Sequence, residues 1–187
     1  FPTTNKTMLI NVVELPNAAK ILILDQIFEP DLLHKLHELC NTFSPDHPDW
    51  KDPGWTKLRY EYHGKSSAYT DLCNYLQSSE FLNQISTALG KTINYGNLLL
   101  WIDLPGFGTL TPHVDGDDSG LMQAYITSTP HPYAGTTMYA EDDKILFQLP
   151  YRDNFGWLFQ PANKVLHGRE HSVPEGISRF SIMINFH

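Results

Sequence analysis

The chain lacks any apolar stretch approaching the roughly 20 residues that a membrane helix requires, so no spanning segment is expected. Cysteine is nearly absent. Cys40 and Cys73 both fall at apolar positions of helix-like patterns, which suits buried free thiols rather than a disulfide framework. Free thiols fit a reducing compartment, and a cytoplasmic location is the expectation. Basic runs are missing too: Lys and Arg number 13 against 21 Asp and Glu, for a net charge of −8. A phosphate-binding stripe is therefore not available and nucleic acid is a poor partner, although a small basic cleft can sit inside an acidic average. No internal repeat or low-complexity segment interrupts the chain. What is present is an ordinary globular balance, 41% hydrophobic and 18% charged over 187 residues, enough for a single domain with a sizeable core.

The two halves differ in periodicity. Residues 20–24 form an apolar run suited to a buried strand, and Asp31 then opens a helix with Leu32, Leu33, Leu36, Leu39, Cys40 and Phe43 at helical spacing. A second helical pattern carries Leu72, Cys73 and Leu76. In a third, Ser79 can cap, Phe81, Leu82, Ile85, Ala88 and Leu89 form the stripe, and Gly90 can terminate. Between the first two helices, residues 44–66 are rich in Pro, Asp, Trp and Tyr, a length and composition suited to a lid or binding loop. From about residue 93 the pattern becomes short strands punctuated by Gly, Pro and Asp: 93–104, 109–115, 121–127, 135–140, 144–149, 154–160, 164–167 and 177–186. Such a series without intervening helices predicts a mainly β jelly roll, supported by helices over about 1–92.

The chemistry concentrates in this second half. On a strand, residues two apart share a face, so His113 and Asp115 can offer a ring nitrogen and a carboxylate oxygen to one cation. His167, from a remote strand, can complete two histidines and one carboxylate, a set that leaves coordination positions open and suits non-haem iron(II). The tripeptide alone is weak evidence, and a second copy exists at His47-Pro48-Asp49, in a Pro-rich loop without strand periodicity. His171 is a rival for the distal ligand. The last strand alternates: Phe180, Ile182, Ile184 and Phe186 on one face, Arg179, Ser181, Met183 and Asn185 on the other, towards the barrel interior. A buried Arg needs an anion, and Arg179 with the Ser181 hydroxyl can receive a carboxylate. Alternatively, Arg179 pairs with an internal Asp or Glu.

The order His113-x-Asp115, His167-Gly168, Arg179-x-Ser181 resembles the iron(II)/2-oxoglutarate-dependent dioxygenase superfamily, nearest its prolyl-hydroxylase-like branch. Supporting segments are Pro105-Gly106, Gly135-Thr136-Thr137-Met138-Tyr139, Asn154-Phe155-Gly156-Trp157-Leu158-Phe159, and Ile21-Leu22-Ile23-Leu24-Asp25 before a helix. Most of the chain participates, but residues 100–187 carry the specific motifs. The resemblance implies a double-stranded β-helix, Fe(II) on His113, Asp115 and His167, 2-oxoglutarate on Arg179 with Ser181, and O2 as co-reactant. Tyr125 resembles a tyrosine that assists the cosubstrate, and equally suits a core aromatic. Related proteins often place an Asn or Tyr before the Pro-Gly turn; here Trp101, Asp103 and Leu104 occupy that stretch. A carboxylate at Asp115, where halogenating relatives carry a small residue, implies hydroxylation.

The substrate stays open between a prolyl residue, a free amino acid and another small molecule. Trp50, Trp55, Arg59, Tyr60, Tyr62 and the turn Gly116-Asp117-Asp118-Ser119 are candidates to face it. Two other classes fit less well. A cupin-like isomerase or lyase would show H-x-H followed by Glu and gives Arg179-x-Ser181 no role. A non-catalytic ligand-binding jelly roll would leave the three candidate ligands unrelated.

Overall fold

The computed structural model describes residues 8–108, 111–115, 120–160 and 165–187. Its strands and helices, in chain order, are β1 (Leu9–Glu14), β2 (Lys20–Asp25), α1 (Pro30–Asn41), β3 (Trp50–Lys51), β4 (Arg59–Tyr62), α2 (Ser67–Leu76) and α3 (Ser79–Leu89) in the first half. There follow β5 (Tyr95–Asp103), β6 (Gly120–Tyr125), β7 (His131–Tyr139), β8 (Ile145–Tyr151), β9 (Phe155–Phe159), β10 (His167–Gly168) and β11 (Arg179–Phe186). All pairings are antiparallel. The larger sheet runs β1-β2-β9-β6-β11-β5-β4-β3 and the smaller β10-β7-β8. His113 bridges the free edge of β10 at His167, through mutual backbone hydrogen bonds of 3.1 and 3.0 Å. The smaller sheet thereby gains a further edge residue, and that residue is a candidate ligand.

Alternation along the strands divides the core in two. Leu22 and Leu24 of β2, Met122 and Ala124 of β6, Leu158 of β9 and Phe180, Ile182 and Ile184 of β11 face α1–α3, against Leu36, Leu72, Phe81 and Ile85. Ile21, Leu121, Tyr125, Trp157 and Phe159 face the other way, towards the smaller sheet and Met138, Leu149 and Tyr151. The larger sheet is thus covered on both faces. Only its inner face meets the cavity between the sheets.

The helix termini follow local chemistry. Ser78, rather than the expected Ser79, caps α3 by accepting from Phe81 N, and Gly90 ends it in the left-handed region at φ 69°. α1 begins one residue earlier than expected, with Pro30 in its first turn, where a missing N–H costs nothing. The Leu104-Pro105-Gly106-Phe107 turn closes with Phe107 N on Leu104 O at 3.0 Å and Gly106 at φ 81°, the conformation a Pro-Gly pair favours.

Residues 44–66 depart most from expectation. β3 and β4 form a hairpin that extends the larger sheet beyond β5. Trp50, Tyr60 and Tyr62 are buried in the helical-side core, where Trp50 meets Phe43, Tyr62 and Phe180 edge-on or tilted at 5.0–5.5 Å. These three aromatics are packing residues and do not face a substrate. The turn at 116–119 lies outside the described residues, as do 109–110 of the expected 109–115 strand. Cys40 and Cys73 are free thiols, as expected, but each is half-buried rather than buried. No helix among the described residues is long and apolar enough to cross a membrane.

Candidate active site

His113, Asp115 and His167 converge, with one potential ligand atom of each lying within 4.8 Å of the others. His167 sits on β10, His113 on the segment bridged to it, and Asp115 two residues on, so one backbone pairing brings the three together. Asp115 Oδ2 is 3.0 Å from His167 Nε2, and Oδ1 is 3.4 Å from His113 Nε2. Each ring is fixed from behind: His113 Nδ1 lies 3.0 Å from the Thr111 carbonyl and His167 Nδ1 3.0 Å from the Val165 carbonyl. A carbonyl can only accept, so both Nδ1 atoms carry the proton and both Nε2 lone pairs face the Asp115 carboxylate. Acceptors turned towards one another repel unless a cation lies between them or a ring takes up a proton. Second-side anchoring of this kind is how metal-ligating histidines are held. Where a ring does take up that proton, its hydrogen bond to the carboxylate, His167's first, holds the Asp115 carboxyl below its ordinary range.

Neither His171 nor His47 joins this group. The His171 side chain is 56% exposed, beside Glu170 and Tyr133. His47 and Asp49 belong to the turn leading into β3, where His47 Nδ1 accepts from Asp49 N at 3.2 Å.

The three ligand candidates stand at a cavity of about 230 Å³ that also touches Arg59, Trp101, Gln123, Thr136, Trp157, Arg169, Arg179 and Met183. A larger groove of about 400 Å³, lined by residues such as Leu15, Pro16, Tyr139 and Leu146, brings no histidine or arginine together. Strand register organises the cavity wall. Arg59, Asp103 and Arg179 are directly opposed on β4, β5 and β11, a cross-strand cation–anion–cation row. Asp103, fully buried, accepts from Arg59 Nε at 2.6 Å and Nη2 at 3.0 Å, and from Arg179 Nη1 at 3.1 Å. The Arg59 guanidinium is also sandwiched between Trp101 and Phe107, 4.1 and 4.4 Å from their ring centres. Of the two sequence readings of Arg179, pairing with an internal carboxylate is what the structure contains, and Arg179 nonetheless lines the cavity.

The next row holds Tyr125, Ser181, Trp101 and Glu61. Tyr125 is fully buried. Its hydroxyl is a hub, touching Thr136 Oγ1 at 2.5 Å and Gln123 Oε1 at 3.0 Å, and accepting from Trp157 Nε1 at 3.3 Å and Arg179 Nη2 at 3.4 Å. Ser181 Oγ is buried without a hydrogen-bond partner among the described residues, as is Arg169 Nη1. Such orphans are rare; Arg169 lines the cavity, and Ser181 shares a strand face with Arg179 and Met183, which line it too.

Arg169, Gln123, Thr136 and Trp157 were not singled out as site residues from sequence. Arg169 was within reach: it follows His167 by two residues, the spacing that linked His113 to Asp115.

No family model matches the chain, and no curated protein does. Solved structures do match. HygX from Streptomyces hygroscopicus, with nickel, 2-oxoglutarate and hygromycin B bound, superposes with a TM-score of 0.61 at 11% identity, over 89% of this chain and 82% of that one. A Pseudomonas putida prolyl-4-hydroxylase gives 0.61 at 15% identity, over 89% and 91%. SnoN, a non-haem α-ketoglutarate-dependent epimerase from nogalamycin biosynthesis, gives 0.63 at 9% identity, over 89% and 77%. The architecture of this chain is therefore the jelly roll, or double-stranded β-helix, of the 2-oxoglutarate-dependent oxygenase structures, prolyl hydroxylases among them.

Proposed function

We propose that the protein is an Fe(II)- and 2-oxoglutarate-dependent dioxygenase that hydroxylates an unactivated C–H of a small-molecule or peptidyl substrate, consuming O2 and releasing succinate and CO2. The observation that carries this reading is the convergence of two Nε2 atoms and one carboxylate at the mouth of a cavity backed by buried guanidinium groups. Two histidines and one carboxylate on one side of an ion leave positions for a chelating cosubstrate and a gas. Iron held there would supply oxygen activation coupled to decarboxylation of the 2-oxoacid.

The chain's own residues do the rest. His113, Asp115 and His167 hold the ion, their geometry set by the Thr111 and Val165 carbonyls. Arg179 and Ser181 present a cation and a free hydroxyl to the far carboxylate of the cosubstrate, with Tyr125 orienting Gln123 and Thr136 beneath it. Trp101, Trp157 and Met183 line the cavity and exclude water from the charge pairs, which strengthens them. Trp55, exposed and 6.0 Å from Phe107, and Arg59 stay candidates for the substrate side.

The test is succinate release from purified protein given Fe(II), 2-oxoglutarate and air, which such oxygenases show slowly even without a prime substrate. Asp115→Ala is expected to lower the rate at least about 100-fold through metal loss, a larger effect than the ten- to hundredfold typical of outer-shell changes. Asp49→Ala and His171→Ala are expected to retain it. Activity in Asp115→Ala with loss in Asp49→Ala would reverse the assignment.

A further inference from the structure

Along β4 the inner face of the larger sheet opens to solvent. The Arg59 side chain, on buried Asp103, is 12% exposed. Glu61, two residues on and therefore on the same face, is 25% exposed, and His63 beyond it 52%. Exposure thus rises from the buried charge pair to the rim. Glu61 stands directly opposite Trp101 of β5, whose ring lines the cavity together with His113 and Asp115. The two side chains meet, Trp101 Nε1 donating to Glu61 Oε2 at 3.3 Å. Glu61 is therefore one indole ring away from the candidate metal centre, at the mouth of its cavity.

The charges on this part of the wall are not equally free. Arg59 has Nε and Nη2 on Asp103 and its guanidinium sandwiched between Trp101 and Phe107. Little of it is left for an anion of the substrate. Glu61 is the reverse case. An ionised carboxylate has about four acceptor sites. Among the described residues, Glu61 makes two polar contacts, with the Trp101 N–H and with His63 Nε2 at 3.5 Å. Both are longer than the usual N–H···O range of about 2.7–3.2 Å. Neither Lys nor Arg lies within ion-pair distance of it among the described residues, whereas Asp103 in the row behind holds two arginines. Trp101 Nε1 holds Oε2 and so aims Oε1 at the rim, where His63 is half-exposed. A partly desolvated carboxylate with acceptor sites unused by protein donors, beside an aromatic ring, suits an ammonium or guanidinium group. The net charge of −8 favours the approach of such a cation.

We infer that Glu61 is a specificity-determining residue that receives a cationic nitrogen group of the substrate, ammonium or guanidinium, with the Trp101 ring alongside. This rests on the function proposed above. It narrows the substrate class left open there to molecules that carry an amine or a guanidine.

The test is calorimetric titration, without O2, of the nickel- and 2-oxoglutarate-loaded protein with benzamidinium and with benzamide, which share a shape but not a charge. Wild type is expected to bind benzamidinium at least about tenfold more tightly, the worth of one charge-assisted hydrogen bond. Glu61→Gln keeps an oxygen for the Trp101 N–H and removes the charge. It is expected to erase the preference while benzamide affinity stays within about threefold, which a residue that merely tethers Trp101 would not show. Glu61→Asp should keep part of the preference. Equal affinities in wild type, binding of neither probe, or a preference that survives Glu61→Gln overturns the inference. Each of these leaves the oxygenase reading intact, because nickel and 2-oxoglutarate uptake are measured on the wild type beforehand. Wild-type protein that takes up neither removes that reading and this inference with it.

Discussion

At the scale of single residues, the site is built by side chains whose remaining atoms are already spoken for. His113 and His167 spend Nδ1 on carbonyls, which commits Nε2 to the centre. Asp103 spends its oxygens on two arginines, so its removal would leave Arg59 and Arg179 facing one another without the buried anion between them. Breaking a buried pair from one side typically costs about 3–5 kcal/mol, and Asp103→Ala is expected to lose stability on that scale in urea unfolding of the apoprotein. A loss under about 1 kcal/mol would mean that the row is not held together by charge. The three candidate ligands and Arg179 could be named from the sequence because strand alternation and residue chemistry offered them, and the resemblance of their order to the oxygenase superfamily chose them over His47-Pro48-Asp49 and His171. The partner of Arg179 could not. Asp103 lies 76 positions away and meets it only through the β5–β11 register, which no local pattern encodes.

Elements show the same division between local and non-local information. β2, β5–β9 and β11, and all three helices, could be read from periodicity and caps. The β3–β4 hairpin could not: it is short, its aromatics and prolines mimic a loop, and its strand character comes from pairing with β5. β1 carries mixed exposure and is ordered by β2 alongside it, and was likewise missed. The hairpin places Arg59 beside Asp103, so the misread segment is also the one that supplies part of the cavity wall. Close approach of strands sets another limit. A Cβ at Gly156 of β9 would meet Gln123 O and, at 2.9 Å, the Cα of Ala124 on β6. Backbone cannot rotate aside as a side chain can, so Gly156→Ala should force β9 from β6. The expected cost is about 1–3 kcal/mol by chemical denaturation, with weakened metal uptake because Gln123 and Trp157 shift together. Unchanged stability would contradict the tight β6–β9 packing.

For the whole molecule, an acidic average conceals a basic interior. The net charge is −8, yet Arg59, Arg169 and Arg179 line one small cavity against Asp103 and Asp115. Composition argues against a long basic surface and can say nothing of this cluster, since three residues scarcely move a sum over the chain. The jelly roll explains how they meet: two sheets bring β4, β5, β10 and β11, remote in sequence, around one hollow. This hollow is expected to receive a metal ion and a 2-oxoacid together. Anomalous diffraction from crystals grown anaerobically with Fe(II) and 2-oxoglutarate tests it most directly. One iron peak is expected about 2.0–2.2 Å from His113 Nε2, His167 Nε2 and an Asp115 oxygen, with the cosubstrate running from that ion towards Arg179. Iron at His47 and Asp49, or a cavity that stays free of metal at saturating iron, would contradict it.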